Sequence, residues 1–193
     1  MKQLAIMIFS LFISGAVYAE EASQTDQTAM GAAIKLAEPV DRPGFSVAVV
    51  DVGAGYISGQ PSEDALRGMA EAGVTTVINL RTKDEMKALG YDEGTLVQEL
   101  GMNYVHIPLG GDAHPYSPAA LDAMLDAMKK VEGKVLLHCA SGRRASHMWG
   151  AYLVKGQGFS REEAEKHARA VGRGEPALDK LLDTKPAATE KNQ

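Results

Sequence analysis

The stretch VLLHCASGRRASHMWG, Val135 to Gly150, contains the only cysteine of the chain. The apolar run KVLLH (134–138) has the length of a short buried strand and ends at His138. The loop CASGR follows, and a helix is predicted from about Arg144 to Lys155. A strand that feeds a helix through such a loop aims the loop N–H groups and the helix N-terminus at one point. That arrangement binds oxyanions through unsatisfied donors and the helix dipole. Gly142 permits a backbone angle that a side chain would hinder. The same field stabilises a thiolate at Cys139, and a nearby guanidinium offers two-point contact to a tetrahedral anion. Cys139 is therefore the candidate nucleophile. Ala140, Ser141, Gly142, Arg143 and Arg144 are the candidate phosphate-binding residues, a set suited to covalent phosphoryl transfer. An inert buried cysteine would explain Cys139 alone. It leaves His138, Gly142, Arg143 and Arg144 without a purpose, since none of them suits an apolar core.

Upstream, FSVAVVDVG (45–53) and YISGQPS read as strand segments, and VTTVINL (74–80) is rich in β-branched residues. Ser62 is a helix N-cap before EDALRGMAEAG, in which Leu66, Met69 and Ala70 recur at helical spacing up to Gly73. TKDE (82–85) and SREE (160–163) have capping-box spacing. DEGTLVQELG reads as a helix ending near Gly101, MNYVHIPL as a strand, and Ser117–Pro118 as the start of a helix to about Glu132. The alternation of strands and helices predicts an α/β fold: a central, mostly parallel sheet flanked by helices. Sites in such sheets lie beyond the carboxyl ends of the strands, where KVLLH delivers Cys139.

The chain has 193 residues, 45% hydrophobic and 23% charged, with a formal net charge of −5. The length supports one domain with its own core. No basic run exists to displace counterions, so nucleic acid is excluded as a partner. Residues 1–19 read as a signal peptide: Lys2, the apolar LAIMIFSLFISGAV, then AVYA before a cut at Glu20. The apolar run is shorter than the ~20 residues of a membrane span. The expectation is a periplasmic or secreted protein with no membrane partner after cleavage. Its single cysteine cannot pair within the chain. Residues 20–43 read as a flexible lead-in, 44–174 as the domain, and 175–193 as a partly disordered tail.

HCASGRRAS after an apolar strand resembles the phosphate-binding loop of cysteine-dependent tyrosine and dual-specificity phosphatases. YISGQPSEDALRGMAEAGVTTVINLRTKDE and LGMNYVHIPL resemble a bacterial family of phosphatase-like domains, also found fused to β-lactamase-hydrolase-like proteins. The resemblance covers roughly Tyr56 to Gly172. It implies a dual-specificity-phosphatase-like fold, a Cys-phosphoenzyme, and a phosphorylated small molecule or protein side chain as substrate. One departure stands out. The common phosphatase loop is Cys, five residues, then Arg, and that slot is Ala145 here. Arg144 comes after only four residues, a loop length seen in rhodanese-like sulfurtransferases. Two rivals therefore accompany the phosphatase: a sulfurtransferase or thiol enzyme using the same loop, and a non-catalytic oxyanion-binding module.

The family uses an Asp on the loop before the cysteine strand as general acid. Asp112 is the sole carboxylate of PLGGDAHPYSP, and its rival role is that of a turn-forming residue. His114 shares the loop. The resemblance gives His138 and Ser146 supporting roles at the thiolate. Arg81 ends VINLR and is expected to brace a carboxylate, and Trp149 is expected in the core. No pair of His or Cys residues has a zinc-site spacing, and no glycine-rich nucleotide motif is present, so neither metal nor cofactor is expected.

Overall fold

The computed structural model describes residues 34–183. The expected signal peptide, most of the expected lead-in and the last ten residues lie outside the described residues. Six strands and seven helices follow in the order β1 (Glu38–Val40), β2 (Val49–Asp51), β3 (Gly55–Ser58), α1 (Glu63–Glu71), β4 (Val74–Asn79), α2 (Lys83–Lys87), α3 (Glu93–Glu99), β5 (Asn103–His106), α4 (Pro118–Met128), β6 (Lys134–His138), α5 (Arg143–Gln157), α6 (Arg161–Ala170) and α7 (Asp179–Leu182). The sheet order is β1-β2-β3-β6-β4-β5. β3, β6, β4 and β5 run parallel, while β1 and β2 join antiparallel at one edge. The expected mostly parallel sheet with flanking helices is the observed architecture.

Alternating strand residues feed two cores, because successive side chains point to opposite faces of a sheet. Ile57, Ile78 and Leu137 face Leu121 and Met124 of α4 and Met148 and Trp149 of α5. Tyr56, Val77 and Leu136 face Leu66 and Met69 of α1 and Leu96 and Val97 of α3. Burying one such side chain stabilises the fold by about 1.5–3 kcal/mol. The segments on either side of Cys139 are thus anchored, β6 in both cores and α5 in the first.

Local chemistry sets the helix starts. The side chains of Ser62 and Ser117 accept from backbone N–H groups in the first turns of α1 and α4. Thr82 with Glu85, and Ser160 with Glu163, form complete capping boxes.

Three expectations need correction. The strand expected over 45–53 is only Val49–Asp51, and Phe45 instead makes an isolated bridge with Pro61. The segment ahead of residue 44 joins the sheet as β1, and Ile34 and Ala37 pack on the core. The chain also stays ordered beyond residue 174: Leu178 and Leu181 are fully buried as it turns through α7.

Candidate active site

At the carboxyl edge, Ser58, His138 and Asn79 lie side by side at the ends of β3, β6 and β4. Cys139 follows at the centre of that row and is fully buried. The first half of its loop is tied to the β3 side. The Ala140 carbonyl accepts from Ser46 Oγ at 2.7 Å and from the Gln60 N–H at 3.3 Å. Gly59 must be glycine here, since a Cβ would come within 2.2 Å of Ser46 Oγ and 2.9 Å of the Ala140 oxygen. The second half turns at Gly142, the N-cap of α5, with φ +77°. A Cβ there would press on the Ser58 carbonyl and the Arg173 guanidinium.

Arg144 is the pivot. Its Nη1 donates to Glu85 Oε2 at 2.7 Å, to the Leu109 carbonyl at 2.7 Å and to the Leu80 carbonyl at 3.2 Å. Its Nη2 donates to Glu85 Oε1 at 2.6 Å. A guanidinium has five donors in a rigid fork. These bonds occupy the end of the fork and leave one side edge, Nε–H with one Nη2–H, for another two-point contact. Cys139 lies close enough to act on Arg144 by charge and hydrogen bonding. The Glu85 carboxyl is held at about 2, below its ordinary value, chiefly by the bonds from Arg144 and against the effect of burial. Arg81 braces that carboxylate, as expected: its Nε lies 3.7 Å from Glu85 Oε1, and its Nη2 donates to the Glu85 carbonyl at 3.1 Å.

Behind the thiol is a buried polar network. His138 Nε2 lies 2.9 Å from Glu93 Oε1, and both side chains are inaccessible to solvent. Glu93 also accepts from Asn79 Nδ2 at 2.9 Å and from Gln60 Nε2 at 2.5 Å. Burial pushes the Glu93 carboxyl up, but the His138 charge and the bonds from His138, Gln60 and Asn79 outweigh it and hold it down. Glu85 and Glu93 are the members that sequence reasoning missed. In the sequence each is an acid in the first turn of a helix, an ordinary solvated position. Nothing local marks the one as an arginine partner and the other as buried.

The remaining expected residues are placed as follows. Ser146 is buried, and its Oγ donates to the Arg143 carbonyl at 2.9 Å. A bond to the thiolate would require the hydroxyl to turn away from that carbonyl. Arg143 is exposed and makes no hydrogen bond or ion pair with its side chain among the described residues. Ser141 is exposed, whereas Ala140 is half-buried. Asp112 stands at the exposed tip of a turn closed by the Gly110 N–H to the His114 carbonyl, 2.6 Å. The base of that turn reaches the site, because Gly110 lies against Arg144. Trp149 is core, as expected. Among the described residues no group of three or more His, Cys, Asp or Glu could hold a metal ion.

Residues 51–154 match the family described as "Beta-lactamase hydrolase-like protein, phosphatase-like domain". The chain belongs to that family. A beta-lactamase hydrolase-like protein of Xylella fastidiosa (strain Temecula1 / ATCC 700964) is 33% identical over 118 residues, 60% of this chain and 27% of that relative. The phosphatase-like domain thus corresponds to a minor part of the curated relative's length. Among solved structures, Tk-PTP is similar with a TM-score of 0.58 and 23% identity, covering 77% of this chain and 95% of that one. P. aeruginosa TpbA, solved in a cysteine-to-serine form with pTyr, has a TM-score of 0.53 and 20% identity over 76% of this chain and 93% of that one. Both structural likenesses concern the fold.

Proposed function

We propose that this phosphatase-like domain is an exported phosphomonoesterase acting through a Cys139 phosphoenzyme. The observation that carries this reading is the Arg144 fork. Glu85 holds one end of it, and Cys139, in the loop that opens a fifteen-residue helix, lies close enough to act on the same guanidinium. Loop N–H groups, helix N-terminus and guanidinium edge together suit the charge that develops on a transferring phosphoryl group. Cys139 Sγ attacks phosphorus as the bond to the ester oxygen breaks, and Asp112 protonates the departing oxygen. Asp112 then takes a proton from water as that water cleaves the P–S bond, releasing phosphate and restoring the thiolate. The substrate is a phosphorylated small molecule or protein side chain, in keeping with the pTyr bound by TpbA. Export rests on the signal-like first nineteen residues.

Sulfur transfer is the second reading, favoured by the short spacing from Cys139 to Arg144 and by a chemistry that uses no general acid. A paired assay on purified protein separates the two. Phosphate release from an aryl phosphate and sulfur transfer from thiosulfate to cyanide are compared in wild type and Cys139→Ser. Cysteine-dependent phosphate release supports the first reading; cysteine-dependent sulfur transfer without it replaces the first with the second.

A further inference from the structure

We propose that the cavity beside the Cys139 loop is the leaving-group site of the same reaction, taking a neutral ring-sized moiety whose hydroxyl or amide bonds to His147. This rests on the phosphatase reading. The cavity has a volume of about 710 Å³ and is lined by Tyr116, Arg143, His147, Ala177, Lys180 and Asp183, among others. That is the size of a small-molecule site and far more than a phosphate group fills.

Three observations point to its occupant. His147 is 3% exposed, and neither ring nitrogen has a hydrogen-bond partner. The Glu175 backbone approaches the ring without meeting hydrogen-bond geometry. Burial, aided by the charge of Arg143, pushes the imidazole below its ordinary value and so favours its neutral form. It therefore carries one donor and one acceptor on opposite sides of the ring, either of which can bond a hydroxyl or an amide. Buried polar groups are rarely left unpaired without a function.

Next, the Tyr116 ring stands beside His147 with centroids 5.7 Å apart, and so supplies an aromatic wall. Tyr116 also lies near enough to feel the charges of Arg144, Cys139 and Arg143, and with Arg143 in the lining this places the cavity next to the Cys139 loop. Finally, the charges of the lining nearly cancel. Arg143 and Lys180 face Asp183 and Asp179, and Asp179 is itself ion-paired with Arg161. A neutral ring suits that balance better than a second anion.

Calorimetric titration of Cys139→Ser with inorganic phosphate, methyl phosphate, phenyl phosphate and 4-carbamoylphenyl phosphate tests this. Phenyl phosphate should bind about tenfold tighter than methyl phosphate, the worth of burying part of a ring. The carbamoyl compound should bind several-fold tighter again. Adding Ala177→Trp, at an exposed position on the cavity wall, should erase the ring advantage and leave inorganic phosphate within about twofold. Adding His147→Phe should erase the carbamoyl advantage alone. Equal binding of methyl and phenyl phosphate, or a ring advantage that survives Ala177→Trp, overturns the proposal while the phosphatase reading stands. Failure of inorganic phosphate to bind at all overturns both.

Discussion

Arg144 and Glu85 meet in a two-point ion pair, Nη1 to Oε2 at 2.7 Å and Nη2 to Oε1 at 2.6 Å, although they are 59 residues apart in the chain. The pair links α2 to the first turn of α5, close to Cys139. Glu85→Gln keeps the side-chain volume and removes the charge. It should lower kcat/KM for an aryl phosphate by roughly 10–100-fold, through loss of a positioned guanidinium. Steady-state kinetics measures this.

The same pair makes a prediction about acid stability. Glu85 titrates at 4.5 as a free group and at about 2 in the folded protein. Between these values the unfolded chain binds the proton and the folded chain does not, so stability falls as the pH drops through that window. Above pH 4.5 the contribution is fully present. Urea unfolding midpoints measured from pH 5 to pH 2 should fall more steeply for wild type than for Glu85→Gln.

Glu93→Ala leaves His138 buried beside an empty space and removes one acceptor each from Asn79 and Gln60. Removing one partner of a buried pair costs about 3–5 kcal/mol. A shift of that size in the free energy of chemical unfolding is expected, with activity reduced in the surviving folded fraction because His138 directly precedes the nucleophile.

At φ +77°, Gly142 occupies backbone space that costs an L-residue about 1–2 kcal/mol. A Cβ would also stand 3.3 Å from the Ser58 carbonyl oxygen. Gly142→Ala should lower stability by about that amount and weaken phosphate binding, since the loop N–H groups lose their common focus. Thermal unfolding with and without phosphate reads both effects.

Much of this architecture was legible because it is local. VTTVINL carries its strand signal in β-branched residues, and TKDE and SREE announce their capping boxes by spacing alone. Cys139, Gly142 and Arg144 are visible for the same reason: one short loop holds them. What escaped is non-local or short. β1 is EPV, three residues with a proline, and belongs to the sheet only by pairing with β2. α7 is a four-residue helix held by the burial of Leu178 and Leu181. Glu85 and Glu93 gain their roles from partners 59 and 45 positions away.

Asp112 is the proposed acid, so its removal should matter only where the leaving group needs a proton. Asp112→Asn should depress kcat for an alkyl phosphate by about 10²–10⁴-fold and hardly affect an aryl phosphate with an acidic phenol. Parallel rates on the two substrates decide it; equal losses on both would remove Asp112 from the role.

The most direct measurement is rapid acid quench of the protein turning over an aryl phosphate, followed by mass analysis of the peptide containing Cys139. A phosphoryl group on Cys139 that forms within one turnover, disappears when substrate is exhausted and is absent from Cys139→Ser is the expected result. Steady phosphate release with no adduct on Cys139, or an adduct on another residue, would contradict the phosphocysteine mechanism.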